Sequence, residues 1–431
     1  MESKVDVAAI LELTEHDQIG LVRKRCSDKG ITKIGDVATA YESLRQIQVK
    51  SGSWCYENYT ENGSHSSGIV CSEATNASQA CVIWPINHYL GLNRHPDVIN
   101  AAINALQKYG TGCGTSAMSG GHNILHKALE SRLAKVMCKE AAILFPTGYS
   151  ANLGAISGLA KTGNTVVFFD RECHASIVDG IKLAGCKYIP FKHNNVSDLE
   201  KKLQSYASEY ENVFVIVESV YSMTGEEAPL QEIVSLKKRF SFYFFVDEAH
   251  TFGLYDVGGL CRQLGISSDV DFVMTTLSKS TASIGGVVAT SRKFMTLLQV
   301  EANAYLFQAA LTPADAATIL AALDIIETTP ELVRSVWHKT NYLRSALITR
   351  GFDIGEGKSP IIPVYIRDSA ILLSMGQDLF KLGVFTTSVA YPVVKHSEVR
   401  FRFIVNESHT YEQIDYTVTV LTGLGKKYGV V

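Results

Sequence analysis

Short runs of apolar residues recur between residues 141 and 291, each separated from the next by a segment long enough to form a helix. The runs cover residues 141–145, 165–169, 187–191, 213–217, 242–246, 273–277 and 286–289. Continuous apolar runs are typical of strands buried on both faces, and their alternation with helical segments is typical of α/β proteins. The pattern predicts a mostly parallel, seven-stranded sheet flanked by helices.

The chain before this region consists of three stretches of different composition. Apolar residues at helical spacing before residue 50 predict an N-terminal arm, and the polar stretch 51–80, rich in Ser, Gly and Asn, predicts an extended loop. Helical runs follow at 96–108 and 123–137, separated by the glycine-rich stretch 110–121. We expect the large domain to begin near residue 81.

The chain after the predicted sheet contains further helices and strands. We expect helices at 313–328, 331–350 and 370–382, strands at 360–366 and 399–405, and a final helix. Thr410 and Gln413 have the spacing of a capping box at the start of that helix. These patterns divide the chain into an arm and loop (1–80), a large α/β domain (81–312) and a smaller C-terminal α+β domain (313–431).

Composition narrows the functional class. The 431 residues are 46% hydrophobic and 19% charged, with a net charge of −3 and no long basic run, which argues against nucleic-acid binding. No signal-peptide pattern or membrane-length apolar run is present. The nine cysteines form no CxxC pair, which argues against a zinc site and indicates reduced thiols. We expect a soluble, cytoplasmic protein without a bound metal.

Two charged residues follow predicted strands. Lys279 comes just after the run 273–277 and is surrounded by Ser, Thr, Ala and Gly. The aromatic run that begins at Phe242 ends in Asp247, with His250 close behind, and a buried carboxylate requires a cationic partner. A protonated pyridine nitrogen is such a partner, and a shielded lysine can bind an aldehyde. This pair predicts pyridoxal phosphate as the cofactor.

Other strand ends add candidate contacts, and ligands of open parallel sheets bind at the carboxyl ends of strands. A turn containing Gly148 follows the first apolar run and enters a helix, which suits a phosphate. His174 follows the second run and could stack on a ring, and Ser222 follows the fourth. Each alone has an ordinary alternative: a simple turn, a satisfied polar histidine or a hydroxyl that caps the backbone. Their conjunction with Lys279 and Asp247 favours a cofactor site.

With these residues the chain resembles the α-oxoamine synthases, a family of fold-type I pyridoxal phosphate enzymes, and in particular the soluble serine palmitoyltransferase type. The resemblance runs from Asn87 to the C-terminus. The matching stretches are residues 87–92, 108–113, 174–176, 247–250, 278–280, 282–286 and 409–413.

The resemblance implies a role for each candidate residue. Lys279 is implied as the lysine that binds the cofactor aldehyde, Asp247 as the partner of the ring nitrogen and His174 as the stacking residue. Further implied cofactor contacts are Ser222 and His250 near the ring oxygen, and Gly148, Tyr149 and Thr276 at the phosphate. Arg402, with help from Asn87, is implied to bind the substrate carboxylate, which suits the bidentate geometry of a guanidinium.

The implied reaction is the decarboxylative condensation of an amino acid, serine or another small one, with an acyl thioester to give an α-amino ketone. The acyl group arrives on coenzyme A or on a carrier protein, and the family implies a homodimer. An aminotransferase or lyase on the same fold, or a supporting subunit of a heteromeric synthase, is the alternative. The presence of Lys279, Asp247 and His174 together argues against a non-catalytic subunit.

Two stretches depart from the family pattern. Ala117 stands where relatives carry an arginine, and residues 307–310 read Phe-Gln-Ala-Ala where relatives carry Phe-Ser-x-Ser directed at the phosphate. Thr312 is a candidate to replace the second contact. Lys108, Lys127 and His122 are candidates to replace the arginine. If none does, the entrance for the thioester differs electrostatically from that of relatives, which favours an unusual donor such as a carrier-protein thioester.

Overall fold

A seven-stranded sheet lies at the centre of the large unit of this protein. The computed structural model describes residues 7–15, 17–52, 54, 56–73, 76–161, 163–391 and 393–431. The large unit comprises Asn87–Trp337, and a second unit combines Met1–Ile86 with His338–Val431.

The helices and strands are numbered along the chain. The helices are α1 (Val7–Leu11), α2 (Val22–Asp28), α3 (Ile34–Ser51), α4 (Pro96–Tyr109), α5 (Ile124–Val136), α6 (Gly148–Ala160), α7 (Ala175–Ala184), α8 (Val196–Tyr206), α9 (Leu230–Leu236), α10 (Leu260–Gln263), α11 (Arg292–Glu301), α12 (Asn303–Leu306), α13 (Pro313–Thr328), α14 (Pro330–Thr349), α15 (Ser369–Lys381) and α16 (Tyr411–Tyr428). The strands are β1 (Asn58–Thr60), β2 (Ser67–Ser72), β3 (Ala77–Ile83), β4 (Ala141–Phe145), β5 (Thr165–Asp170), β6 (Lys187–Phe191), β7 (Asn212–Glu218), β8 (Tyr243–Asp247), β9 (Phe272–Thr276), β10 (Gly286–Thr290), β11 (Ile361–Tyr365), β12 (Val384–Phe385), β13 (Thr387–Val389) and β14 (Arg400–Ile404).

The sheet of the large unit has the strand order β4-β10-β9-β8-β7-β5-β6. Strands β5 to β9 pair in parallel, and β10 runs antiparallel to both β4 and β9. The central strands are buried along their length because their side chains are apolar on both faces. The predicted mostly parallel sheet of seven strands is therefore confirmed, and it brings the carboxyl ends of five parallel strands to one edge.

The second unit contains a four-stranded sheet, β1-β2-β3-β12, and a three-stranded antiparallel sheet, β11-β14-β13. The predicted capping box is present at its last helix, where Thr410 and Gln413 each bond to the other's backbone N–H. None of the helices in the described part of the chain has both the length and the apolar character that a membrane crossing requires.

The prediction of an extended loop at 51–80 is wrong, because the stretch contains the strands β1 and β2 and the start of β3, which pair antiparallel in succession. Its strands are only partly buried, and Ser, Gly and Gln occupy their outer positions. A half-exposed strand of that composition carries little of the apolar alternation from which strands are recognised. The strands β12 and β13 were missed because two and three residues are too few to show an alternating pattern.

The units also differ from the expected domain divisions. Helix α13 belongs to the large unit, because it packs against α4 and α5. The N-terminal arm shares a unit with the C-terminal segment, because β3 pairs in parallel with β12, Val82 opposite Val384. Both divisions depend on packing between segments far apart in sequence, which local patterns do not show.

Candidate active site

A cavity of about 320 Å³ lies at the carboxyl-terminal edge of the parallel strands in the large unit. Its walls come from the segments that follow β4, β5, β7, β8 and β9. The lining residues are Thr147, Gly148, Tyr149, Asn152, His174, Ser176, Glu218, Asp247, Ala249, His250, Met274, Thr276, Ser278, Lys279, Ile284 and Gly285. Seven of the predicted cofactor contacts therefore meet at one cavity, although they are spread along the chain from Gly148 to Lys279.

Lys279 lies three residues beyond β9, at the end of a chain of hydrogen bonds. Its Nζ is 2.7 Å from Nε2 of His250, and Nδ1 of that histidine is 2.7 Å from the hydroxyl of Tyr89. Both His250 and Tyr89 are buried. The imidazole thus connects the amine to a phenol, and a proton can pass between them through the two ring nitrogens.

Asp247 is the last residue of β8, and only 4% of its surface is exposed. Its Oδ2 accepts a hydrogen bond from Nδ2 of Asn152 at 2.8 Å, and its Oδ1 accepts one from the backbone N–H of Ala249 at 2.9 Å. Oδ1 of Asn152 is buried and has no hydrogen-bond partner among the described residues. A fixed carboxylate beside an unsatisfied amide oxygen fits a ligand that presents N–H or O–H donors.

The turn between β4 and α6 has the shape of a phosphate site. Thr147 caps α6 through a capping box with Ser150, so the chain turns sharply into the helix and directs its first N–H groups outward. Gly148 is required at this place, because a Cβ there would lie 2.6 Å from Cβ of Thr276 and 2.7 Å from its Oγ1. The hydroxyl of Thr276 is 2.7 Å from that of Ser278. Backbone N–H groups and hydroxyls of this kind suit an anion.

Tyr149 and His174 adjoin each other across the cavity, their rings in edge contact at 6.1 Å. Nδ1 of His174 accepts a hydrogen bond from the backbone N–H of Ser176 at 3.2 Å and lies 2.7 Å from its hydroxyl. That hydroxyl accepts in turn from Asn152 at 3.0 Å. Burial lowers the pKa of His174, the charge of Asp247 opposes this, and the charge of Lys279 adds to it. The ring is neutral at pH 7, with its proton on Nε2.

Glu218 is a second buried carboxyl at the cavity. It ends β7 directly opposite Asp247 in the parallel register and accepts a hydrogen bond from the backbone N–H of His174. The pKa of Glu218 is raised to about 8, mainly by burial and then by the neighbouring charge of Asp247, while Lys279 acts in the opposite direction. The pair therefore holds one proton at neutral pH, because two adjacent carboxylates cannot both ionise cheaply in a buried site.

Three predicted site residues lie elsewhere. Ser222 is not among the described residues that line the cavity. Asn87 begins the large unit, and its buried Oδ1 has no hydrogen-bond partner among the described residues. Arg402 belongs to the second unit, where it lies in β14 and its backbone oxygen accepts a hydrogen bond from Thr386 at 2.8 Å. The roles expected for these three stay predictions.

The two departures from the family pattern are neighbours in space. Ser116 pairs with Ala309 in an isolated antiparallel bridge, and the N–H of Ala310 donates to the carbonyl of Thr115 at 3.1 Å. The hydroxyl of Thr312 is engaged with Asp315 at 2.5 Å and caps α13. The two departures from the family pattern thus lie on the same surface. Thr312, which was expected to replace a lost phosphate contact, instead caps α13.

Two of the three cations that could replace the arginine are also engaged. Lys127 bonds to Glu130 at 2.8 Å. His122 stacks on the ring of His126 at 4.6 Å, and burial lowers the pKa of His122 to about 4, so it is neutral at pH 7. Lys108 stays on the exposed face of α4, above the ring of Tyr109.

Sequence reasoning assigned no role to Tyr89, Asn152, Ser176 or Glu218. Glu218 carries the same signal that identified Asp247, an acid directly after an apolar strand, and could have been found by it. Asn152 is a polar residue in a helix that otherwise contains small and apolar residues, which is a weaker signal. Ser176 acts through His174, two residues away, and through Asn152, whereas Tyr89 acts through His250, far along the chain. No local pattern marks either residue.

Comparison with known proteins defines the class. The family described as aminotransferase class I and II matches residues 79–421. The chain is 38% identical over 352 residues to a serine palmitoyltransferase of Bacteroides thetaiotaomicron, a match that spans 81% of this chain and 89% of the relative. It is 34% identical over 347 residues to an 8-amino-7-oxononanoate synthase of Thermoanaerobacter pseudethanolicus, spanning 80% and 88%.

Solved structures agree. A serine palmitoyltransferase of Sphingomonas wittichii superposes with a TM-score of 0.85 at 29% identity, covering 93% of this chain and 99% of that one. One from S. paucimobilis, solved with bound PLP and myriocin, gives 0.84 at 29% identity, covering 90% and 98%. The fold is that of fold-type I pyridoxal phosphate transferases. Within the aminotransferase class I and II family, the chain belongs to the α-oxoamine synthases, acyltransferases that depend on pyridoxal phosphate, and the family predicted from the sequence is confirmed.

Proposed function

We propose that this enzyme condenses a small α-amino acid, with serine as the first candidate, with a long-chain acyl thioester. The products are an α-amino ketone, carbon dioxide and the free thiol. The observation that carries the proposal is the meeting of Lys279, Asp247 and His174 at one cavity beside a helix start that suits a phosphate. Relatives named serine palmitoyltransferase support serine, and relatives named 8-amino-7-oxononanoate synthase support the same class of product.

The cofactor is pyridoxal 5'-phosphate, and the cavity fits it. Asp247 offers a fixed carboxylate to a protonated ring nitrogen, Gly148 and Thr276 border the phosphate turn, and Lys279 has an amine within reach of an aldehyde. When bound, the cofactor supplies the electron-accepting ring that the reaction requires. Asn152 fits the same ring, because its unsatisfied Oδ1 lies in the cavity wall.

The residues of the chain then divide the work. Lys279 is the base that removes the α-proton of the amino acid, and His250 and Tyr89 hold its Nζ and can accept or return a proton. His174 is neutral and its Nδ1 is fixed by Ser176, so its ring face would be available to the cofactor and its Nε2–H to a substrate oxygen. Arg402 binds the carboxylate of the amino acid, supported by Asn87.

For the acyl donor, we favour a carrier-protein thioester over free coenzyme A. Ala117 and residues 308–310 together remove a cation and two hydroxyls from one surface, and Thr312, Lys127 and His122 are engaged elsewhere. A surface without these groups binds a phosphorylated nucleotide poorly, because phosphates are recognised mainly by cations and hydroxyls. A carrier protein contributes its own contacts and needs fewer there.

The enzyme acts as a homodimer. Ile99, Ile103 and Leu106 form an exposed apolar stripe along α4, at spacings of four and three residues. Phe307, 78% exposed, belongs to the segment bridged to the loop of Met118, which is also exposed. A monomer seldom exposes so many large apolar side chains unless a partner covers them. A cytoplasmic location stays a prediction.

The test is product analysis with competing substrates. Purified protein is loaded with pyridoxal phosphate and incubated with serine, alanine and glycine, together with palmitoyl-coenzyme A or the same chain on a carrier protein. Mass spectrometry should find an α-amino ketone, with one carbon dioxide released per thiol. A keto acid formed without thiol release would instead identify an aminotransferase. The Lys279→Ala variant is the negative control.

A further inference from the structure

His193 lies outside the cavity, in a cluster that the reaction does not use directly. It follows β6, and its Nδ1 is 3.0 Å from Oδ1 of Asp170 while its Nε2 is 2.9 Å from Oε2 of Glu226. Asp170 is fully buried, and the ring of Tyr221 meets the imidazole edge-on at 4.4 Å. Carboxylates only accept hydrogen bonds, so both ring nitrogens donate and the imidazole carries a positive charge.

The two carboxylates belong to segments that build the active site. Asp170 ends β5, and its Oδ1 also accepts the backbone N–H of Glu172, at the start of the short link that leads to His174. His174 is two residues further on and donates its own backbone N–H to Glu218. The position of the stacking imidazole thus depends on how the β5 end is held.

Glu226 closes a turn on the other side. The N–H of Tyr221 donates to the carbonyl of Glu226 at 3.0 Å, and the N–H of Gly225 donates to the carbonyl of Tyr221 at 2.8 Å, so residues 221–226 form one tight unit that contains Ser222. The segment that leads into this turn is also bonded to the active site, because the N–H of Ser219 donates to the carbonyl of Asp247 at 2.8 Å. At the other end of the turn, His193 contacts the side chain of Glu226.

We propose that charged His193 is a positioning residue, which ties the turn 221–226 and its Ser222 to the end of β5 and so sets the cofactor face of the site. The link is a single ion between two carboxylates, and its loss leaves Asp170 buried without its cation. The part of this inference that concerns the cofactor rests on the proposed function; the part that concerns the turn does not.

The electrostatics of the cluster agree with the geometry. Burial by itself lowers the pKa of His193, but the hydrogen bonds and charges of Asp170 and Glu226 outweigh it and raise the pKa to about 9. Tyr221 contacts the imidazole, and Cys173 and Glu218 interact with Tyr221. Burial raises the pKa of Tyr221 and of Cys173, so both stay neutral over this range, whereas Glu218, with a pKa of about 8, ionises before His193 loses its proton. The clamp is therefore closed at neutral pH and opens as pH rises through about 9.

Two variants test the clamp. His193→Gln removes the charge but keeps hydrogen-bonding atoms, and Glu226→Gln weakens one half of the link at a position that is partly exposed. The matched control is Lys202→Gln, which removes a cation that also bonds to β6, through the carbonyl of Pro190, and to Asp198 on α8.

The first readout is hydrogen exchange of residues 221–226 without cofactor. We expect faster exchange in both test variants than in the wild type and the control, and in the wild type a loss of protection above pH 9 beyond the intrinsic rate change. The second readout is the dissociation constant for pyridoxal phosphate, followed by absorbance. We expect it to rise about tenfold in His193→Gln, the size that corresponds to one lost hydrogen bond to a charged group, and less in Glu226→Gln.

The possible outcomes distinguish the positioning role of His193 from the proposed function of the enzyme. If exchange of the turn is unchanged in both variants, or in Glu226→Gln alone where His193→Gln does not fold, the positioning role is wrong. If the turn loosens while the wild type itself does not bind pyridoxal phosphate, the clamp stands and the proposed function fails. If the turn loosens and cofactor affinity and absorbance are unchanged, His193 holds the turn without influence on the site, which overturns the proposal.

Discussion

The side-chain amine of Lys279 lies 2.7 Å from Nε2 of His250, although 28 residues and a complete strand separate them along the chain. The second nitrogen of the imidazole contacts the buried hydroxyl of Tyr89. The hydrogen bond to His250 fixes the orientation of the amine. A general base that removes and returns a proton requires such a fixed orientation.

Lys279→Ala should abolish both the covalent attachment of pyridoxal phosphate and turnover, because no other amine lines the described part of the cavity. The yellow absorbance of the attached cofactor and its reduction by borohydride measure attachment. Lys293→Ala, at an exposed position of α11, is the matched control and should behave like the wild type. A borohydride-reducible covalent adduct at another lysine in the Lys279→Ala protein would contradict the assignment.

Tyr89→Phe should slow proton transfer while leaving the cofactor bound. It removes one buried hydrogen bond, worth about 0.5–1.5 kcal/mol, so we expect turnover to fall up to about tenfold. Tyr342→Phe, which removes a hydroxyl contact with Asp415 at the surface, is the control. Steady-state rates and the exchange of the α-proton of serine with solvent measure the effect. Unchanged α-proton exchange in Tyr89→Phe would show that the relay ends at His250.

Arg402→Ala should weaken binding of the amino acid far more than binding of the cofactor. A charge-assisted bond of about 1.5–3 kcal/mol corresponds to roughly 10- to 150-fold in the dissociation constant. Spectroscopic titration with serine checks it, with Arg367→Ala as a surface control. Arg400 is no substitute for Arg402, because it is buried and its guanidinium donates to Tyr365 at 2.8 Å and to the carbonyl of Glu398 at 2.6 Å. An unchanged constant would remove Arg402 from the site.

Glu218→Gln should flatten the pH dependence of stability of the cofactor-free protein. The pKa of Glu218 rises from 4.5 to about 8 on folding, so folding favours the protonated form. Its contribution is fully present below about pH 4.5 and is lost as pH rises through about 8. The glutamine variant has no proton to lose, so its free energy of unfolding should fall less between pH 5 and 8. The exposed Glu232→Gln serves as control; equal slopes in all three proteins would count against a buried, protonated Glu218.

Ala117→Arg should shift donor preference toward coenzyme A. The substitution restores a cation to the loop bridged to Ala309. Turnover is compared with the same acyl chain on coenzyme A and on a carrier protein, and Met118→Arg, one residue further along the loop, controls for added charge alone. Efficient, saturable use of palmitoyl-coenzyme A with serine by the wild type would defeat the carrier-protein hypothesis.

The sequence by itself determined the sheet and the chemistry of its edge. Continuous apolar runs leave a strand no polar face, so they must be buried in a layered α/β fold, and parallel strands necessarily end at one edge. Lys279, Asp247 and His174 could therefore be placed together before any coordinates existed. Asp247 directly follows an apolar run, and Lys279 and His174 come two and five residues after theirs. The physical cost of burying a charge marks the positions of Asp247 and Lys279.

Only the tertiary structure decided how these groups are held. The contact of Lys279 with His250 and Tyr89, the grip of Asn152 on Asp247 and the shared surface of Ala117 and Ala309 all join segments distant in sequence. The polar hairpin at 58–83 was missed for a related reason, since its strands are defined by partners rather than by their own composition. The local sequence pattern shows which residues of a segment must be buried. The partner of a buried polar group, in contrast, depends on which other segments pack against it.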